Sequence, residues 1–146
     1  MVDINNDGFK DLFSANGDVQ DNTEVFSSRQ SRQANGVFVN QKDGTFTDGS
    51  RQAGNSFQQR GLHRGAAFGD FDGDGRVDIV VTRLNERAEL FRNISAAPNH
   101  WLALRLVGRR SNRDGIGSRV RVVGASGAEQ WNHVTTSVGF ASSSDR

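Results

Sequence analysis

Two nine-residue stretches constrain this chain more than anything else in it. "DINNDGFKD" (Asp3 to Asp11) and "DFDGDGRVD" (Asp70 to Asp78) both fit the pattern Dx[DN]xDGxxD, and an apolar run follows each at once, "LFSA" and "IVVT". The two copies lie 67 residues apart. The echo goes further, because "NGVFVNQ" and "AELFRNI" each end an apolar segment in Asn, at Asn40 and Asn93. Self-similarity at a fixed offset means that one supersecondary unit is used twice.

The rest of the chain says what kind of unit it is. Only 34% of the 146 residues are hydrophobic, there are 17 glycines and one proline, and the apolar residues come in runs of four to eight rather than in helical stripes. "DLFSANG", "GVFVNQKDG", "VDIVVTRLN", "AELFRN", "WLALRLVG" and "SRVRVVG" each run into Gly, Asn or Asp, the punctuation of strands and turns. Leu102, Leu104 and Leu106 alternate with Ala103, Arg105 and Val107, so at period two the leucines share one face. An all-β protein is predicted. The repeating unit reads strand, acidic loop, strand, strand, and "DGTFTD" adds a further turn and strand to the first copy. Four short strands per unit describe a propeller blade.

Carboxylates crowded into nine residues repel one another unless a cation sits between them. Oxygen ligands at positions 1, 3 and 5, a backbone carbonyl at 7 and a carboxylate at 9 can wrap a hard cation, and Gly at 6 permits the reversal. Calcium suits such a loop better than magnesium, because it accepts six to eight oxygens in flexible geometry. The predicted ligands are Asp3, Asn5, Asp7, the carbonyl of Phe9 and Asp11 in the first loop, and Asp70, Asp72, Asp74, the carbonyl of Arg76 and Asp78 in the second. With four carboxylates against three, the second loop is expected to bind more tightly. An EF-hand is excluded on two counts. Position 12 holds Ser14 and Val81 in place of Glu, and strand-forming runs flank the loops in place of helices. Asp43-Gly44 and Asp114-Gly115 are isolated pairs and are read as ordinary turns.

These residues carry a resemblance. "GAAFGDFDGDGRVDIVVTRLNERAELFRN" resembles an FG-GAP repeat of the VCBS type, the calcium-loop blade of integrin-like β-propellers, and "DINNDGFKDLFSANG" to "NGVFVNQKDGTFTD" resembles another that has lost its first strand. "NHW" at Asn99 to Trp101, "SNRDGIGSRV" from Ser111 and "GFASSSD" from Gly139 resemble the ASPIC/UnbV domain that follows such propellers. The resemblance implies repeats over 1–94 (first copy 1–50, second copy 61–94), then a truncated ASPIC/UnbV-like domain over 95–146; the lone proline, Pro98, lies in a small polar stretch that reads as a linker. It also implies a seven-bladed parent, calcium in the blade loops and a secreted or surface setting. The expected fold is therefore a partial β-propeller of about one and a half blades plus a small β-sandwich-like or barrel-like domain. In that domain the leucine face and Val120/Val122 would share a core, while Arg119 and Arg121 point outward.

Function is bounded by what the residues allow. No segment reaches the roughly 18 apolar residues of a membrane helix, and "MVDINNDG" lacks the basic and apolar regions of an export signal. Because Asp3 already belongs to the repeat, the chain is expected to be a fragment at both ends, with any leader upstream. There is no cysteine, so thiolate metal sites and cysteine nucleophiles are excluded. His63, His100 and His133 stand apart, and no serine occupies a GxSxG elbow, so no catalytic constellation is predicted. Regular alternate spacing favours convergence on one cation over paired catalytic carboxylates.

The net charge of +1 hides a split. Residues 1–78 carry 12 acidic and 8 basic side chains, and 79–146 carry 5 and 10. The expected function is a calcium-stabilised, non-catalytic extracellular binding or adhesion module with a protein or glycan partner, placed outside the cell, on its surface or in the periplasm. Alternatives are the scaffold part of a larger secreted enzyme, or a polyanion binder using Arg109, Arg110 and Arg113. Nucleic acid is disfavoured because no aromatic residues are interleaved with those arginines. A further possibility is that the basic half docks on the acidic face of its own repeats. The sequon at Asn93 would matter only in a glycosylating host.

Overall fold

The computed structural model describes residues 1–96, 99–139 and 142–143. Among them there are strands and two short 3-10 turns but no α-helix, as the short apolar runs require. The first sheet joins β1 (Leu12–Ser14), β2 (Gly36–Asn40) and β3 (Phe46–Asp48) in antiparallel order. The second joins β4 (His63–Gly69), β5 (Asp78–Arg83) and β6 (Glu86–Phe91) in the same way. These are the two copies of the repeat, and the partial propeller expected from the sequence is what the chain forms.

Register shows how the copies correspond. In the second, Gly69 pairs with Asp78 across the acidic loop. In the first, Val2 and Asp11 form an isolated bridge at the equivalent place, exchanging backbone hydrogen bonds of 3.0 and 2.7 Å. Val2 thus stands where the last residue of β4, Gly69, stands in the second copy. Conversely, β3 has no partner copy after β6. Superposed, the copies give a four-strand order: β4, loop, β1 or β5, β2 or β6, and β3.

The core lies between these two sheets. Ile79 and Val81 alternate inward along β5 and meet Val37 of β2, and Phe57 fills the space between from the 3-10 turn Asn55–Gln58. Phe57 packs edge-on to Phe13 (6.0 Å between centroids) and tilted on Phe91 (4.4 Å), and Phe13 also meets Phe68 at 5.8 Å. Neither sheet could bury its face alone, which is the physical reason for the repeat. His63 is buried at the same junction, its Nδ1 2.9 Å from the Asn16 carbonyl and its Nε2 3.2 Å from Glu89. It joins the two copies.

The C-terminal half contains β7 (Arg119–Val123) paired with β8 (Glu129–His133), and β9 (Ser137–Gly139) paired with β10 (Ser142–Ser143). Here the structure corrects one expectation. Residues 101–107 belong to no strand, and Leu102, Leu104 and Val107 are exposed, as is Val122. A two-stranded ribbon offers no second layer to stack on, so the leucine face and the Val120/Val122 face do not close into a core among the described residues. Arg119 and Arg121 do lie exposed, as expected. Pro98 and most of "GFASSSD" lie outside the described residues.

Candidate metal centre

The acidic loops are built twice to one plan. In the first, the two oxygens of Asp3 accept the backbone N–H of Asp7 (3.0 Å) and of Gly8 (2.8 Å). In the second, those of Asp70 accept the N–H of Asp74 (3.1 Å) and of Gly75 (2.8 Å). The position-one carboxylate therefore organises the loop around itself. Position four turns left-handed in both, at Asn6 (φ 54°) and Gly73 (φ 74°), as does position six, at Gly8 (φ 91°) and Gly75 (φ 82°). Glycine at position six is needed because the backbone must reverse there without a Cβ penalty.

The position-nine carboxylates are the most buried acids among the described residues, Asp11 at 0% and Asp78 at 1% exposure. Each of their oxygens accepts one backbone N–H. Asp11 accepts from the N–H of Ile4 and of Asn40, each at 2.9 Å. Asp78 accepts from Phe71 (3.0 Å) and from Asn93 (2.7 Å). The asparagine side chains finish the joint, Asn40 donating to the Lys10 carbonyl (3.1 Å) and Asn93 to the Val77 carbonyl (3.1 Å). Each acid ties its loop to the end of the neighbouring strand. Sequence reasoning noted both asparagines as strand ends and missed this work; their recurrence at matched places was the available signal. The Asn93 amide also donates to the Ile4 carbonyl (2.7 Å), so in the folded chain the sequon nitrogen is engaged.

Carboxylates converge in the second loop. Asp70, Asp72 and Asp78 each offer an oxygen, and these lie within 4.8 Å of one another, the first two exposed and the third buried. Asp74 stands outside this group, its carboxylate paired with Arg76 and 3.6 Å from a guanidinium nitrogen of Arg92. Arg92 also reaches Asp72 at 2.5 Å. This guanidinium spanning Asp72 and Asp74 is a stand-in cation, and its charge is what such a donor set calls for. All-oxygen, carboxylate-rich and loop-borne, the set fits a hard divalent cation. In the first loop the corresponding charge comes from Lys42, 3.2 Å from Asp7. Asn5 donates to Asp7 at 3.4 Å there, and the loop has no comparable three-carboxylate group among the described residues. The predicted ligand sets thus gain different amounts of geometry: Asp70, Asp72 and Asp78 are brought together, while Asp3, Asn5, Asp7 and Asp11 share a loop without that convergence.

Titration differs between the loops. Burial pushes the Asp3 carboxyl above its ordinary value, and this outweighs the N–H bonds from Gly8 and Asp7 that favour the charged form. Asp72 also pays for desolvation, but its hydrogen bond and charge contact with Arg92 win and hold it below the ordinary value. Arg92 is raised in turn, first by its hydrogen bond to Asp72.

Above the loops sits the C-terminal segment. Asn6 and Asn99 exchange amide-to-carbonyl bonds of 3.0 and 2.9 Å across 93 residues. The Trp101 indole lies across Gly75, in the space a Cβ would fill, and the Gln130 amide lies 2.7 Å from the Cβ position of Gly8. Lys10 donates to Asn132 at 3.0 Å. Apart from Lys10 these contacts are between neutral groups.

A family model described as FG-GAP-like repeat matches residues 3–81, and one described as ASPIC and UnbV matches residues 108–146. Comparisons with curated proteins and with solved structures returned no match. FG-GAP repeats are typically protein-interaction modules and are generally extracellular. No helix among the described residues is long and apolar enough to cross a membrane. With both acidic loops and both sheets falling in the matched repeats, the chain belongs to the FG-GAP-like repeat family and carries an ASPIC/UnbV segment after its repeats.

Proposed function

We propose that the chain is a calcium-stabilised, non-catalytic binding module that acts outside the cell on protein or glycan partners. The observation that carries this reading is the convergence of Asp70, Asp72 and Asp78 on a loop whose plan recurs at Asp3 to Asp11. Asp70, Asp72 and Asp78 hold the cation in the second loop, with Asp74 and the Arg76 carbonyl as further ligands. Asp3, Asn5, Asp7, the Phe9 carbonyl and Asp11 hold a weaker one in the first. The ion's role is to neutralise acids that join two strands. Extracellular calcium modules bind at about 10⁻⁴ to 10⁻³ M, which matches a secreted setting and not resting cytosol. The test is a thermal melt in millimolar calcium beside one in EDTA. At such affinities millimolar free calcium is about 1–10 times Kd and should add about 0.4–1.4 kcal/mol, and Asp72→Asn should remove most of that gain. A melt indifferent to calcium would reject the reading.

A second reading, anion binding, has its own observation. Arg109, Arg110 and Arg113 are exposed, and elsewhere a cavity of about 220 Å³ is lined by Lys10, Arg119, Trp131, Asn132 and His133. Arg121 stacks on Trp131 at 5.7 Å from the ring centroid. A single ring and a few cations suit one acidic sugar better than a run of stacked bases. Titration with a heparin tetrasaccharide decides it: binding lost in Trp131→Ala and kept when the three loop arginines become Ala favours this cleft, and no binding removes it.

A further inference from the structure

The position-six glycines link the loops to the C-terminal segment. Gly8 and Gly75 each donate an N–H to the position-one carboxylate that would face the cation. Each also presents its bare backbone to a C-terminal side chain, Gln130 on Gly8 and Trp101 on Gly75. Asn6, at position four of the first loop, forms the reciprocal pair with Asn99. Equivalent positions of two loops thus meet the C-terminal segment, and each does so with its loop wrapped around its first carboxylate.

We propose that cation binding in the loops and seating of Asn99, Trp101 and Gln130 are a single linked equilibrium, an inference that rests on the calcium reading above. Without a cation, Asp70, Asp72 and Asp78 repel and favour looser loops, in which Gly75 no longer offers a flat seat to the indole. A cation removes the repulsion and favours the wrapped form. It can shift seating only because it binds that form better, and linkage then requires the seat to strengthen cation binding by the same factor. The partner surface for the loops is therefore this chain's own C-terminal segment, and calcium regulates how firmly it is held.

The chain has two tryptophans and no tyrosine, so Trp131→Phe leaves Trp101 as the reporter. The full chain carrying that change is titrated with calcium chloride from EDTA, following Trp101 emission and acrylamide quenching. Binding is measured in parallel by calorimetry. The expected result is a blue shift and reduced quenching with the calorimetric midpoint, and a calcium affinity about 5-fold or more weaker in Trp101→Ala, the lower end of typical coupling between sites. Should Trp101→Ala fail to fold, Trp101→Leu replaces it and the emission titration still decides. Calcium heat with unchanged Trp101 emission, or unchanged affinity on removing the indole, overturns the linkage and leaves the calcium reading standing. Absence of calcium heat overturns both.

Discussion

Asp78→Asn separates the structural work of a buried acid from its work as a ligand. The two oxygens of Asp78 accept N–H groups from Phe71 at 3.0 Å and Asn93 at 2.7 Å, and the residue is 1% exposed. An amide keeps one acceptor and turns an NH₂ toward the other donor. The loss of one charge-assisted bond costs about 1.5–3 kcal/mol, and the stranded buried N–H costs about 1–3 kcal/mol more. Relief from burying a charge offsets part of that sum, leaving a destabilisation of about 2–4 kcal/mol. Against a usual stability of about 5–15 kcal/mol this is large. At about 3 °C per kcal/mol for a chain of this size, Tm should fall by roughly 6–12 °C. The assay is far-UV circular dichroism in EDTA, where no ligand role contributes. If Asp78→Asn melts with the wild-type chain in EDTA, the argument that this acid ties loop to strand is refuted. The repeat makes the same demand of Asp11→Asn, whose two bonds of 2.9 Å come from Ile4 and Asn40.

Other outcomes follow from the same geometry. Asp72→Asn should leave stability in EDTA within about 1 kcal/mol of wild type, since its partner Arg92 is exposed and surface ion pairs contribute little. Gly75→Ala should cost about 1–2 kcal/mol from the left-handed backbone alone and should displace Trp101, which red-shifted emission would reveal. Phe57→Ala, which empties the junction between the two sheets, should cost about 3–5 kcal/mol in denaturant melts. The Ser50 hydroxyl, then its N–H, hold the Asp48 carboxyl below its ordinary value of 3.8. Its contribution to stability is present above that value and is lost as pH falls through the depressed one. Asp48→Asn should therefore lower Tm at neutral pH and converge with wild type in strong acid.

The difference between short-range and long-range physics decides what was legible in advance. Strand runs such as "IVVT" and "GVFVN" became β5 and β2 because period-two patterning is local, and "WLALRLV" failed to become a strand because pairing needs a neighbour that spacing alone does not supply. The same limit applies to the Leu102/Leu104 face, whose exposure depends on whether another layer covers it.

By itself the sequence determined the all-β class and the acidic loops with glycine at position six, since these depend on residues within nine positions of one another, and the second copy at an offset of 67, since the same short pattern recurs there. Only the tertiary structure decided that Asp11 and Asp78 are buried backbone anchors, that Phe57 closes the core between two sheets, and that Trp101 and Gln130 rest on the loop glycines. Burial and contact are set by which distant segments meet, as with Asn6 and Asn99 across 93 residues. The chemistry of a residue type says what bond it can make, and the fold alone says which partner is within reach.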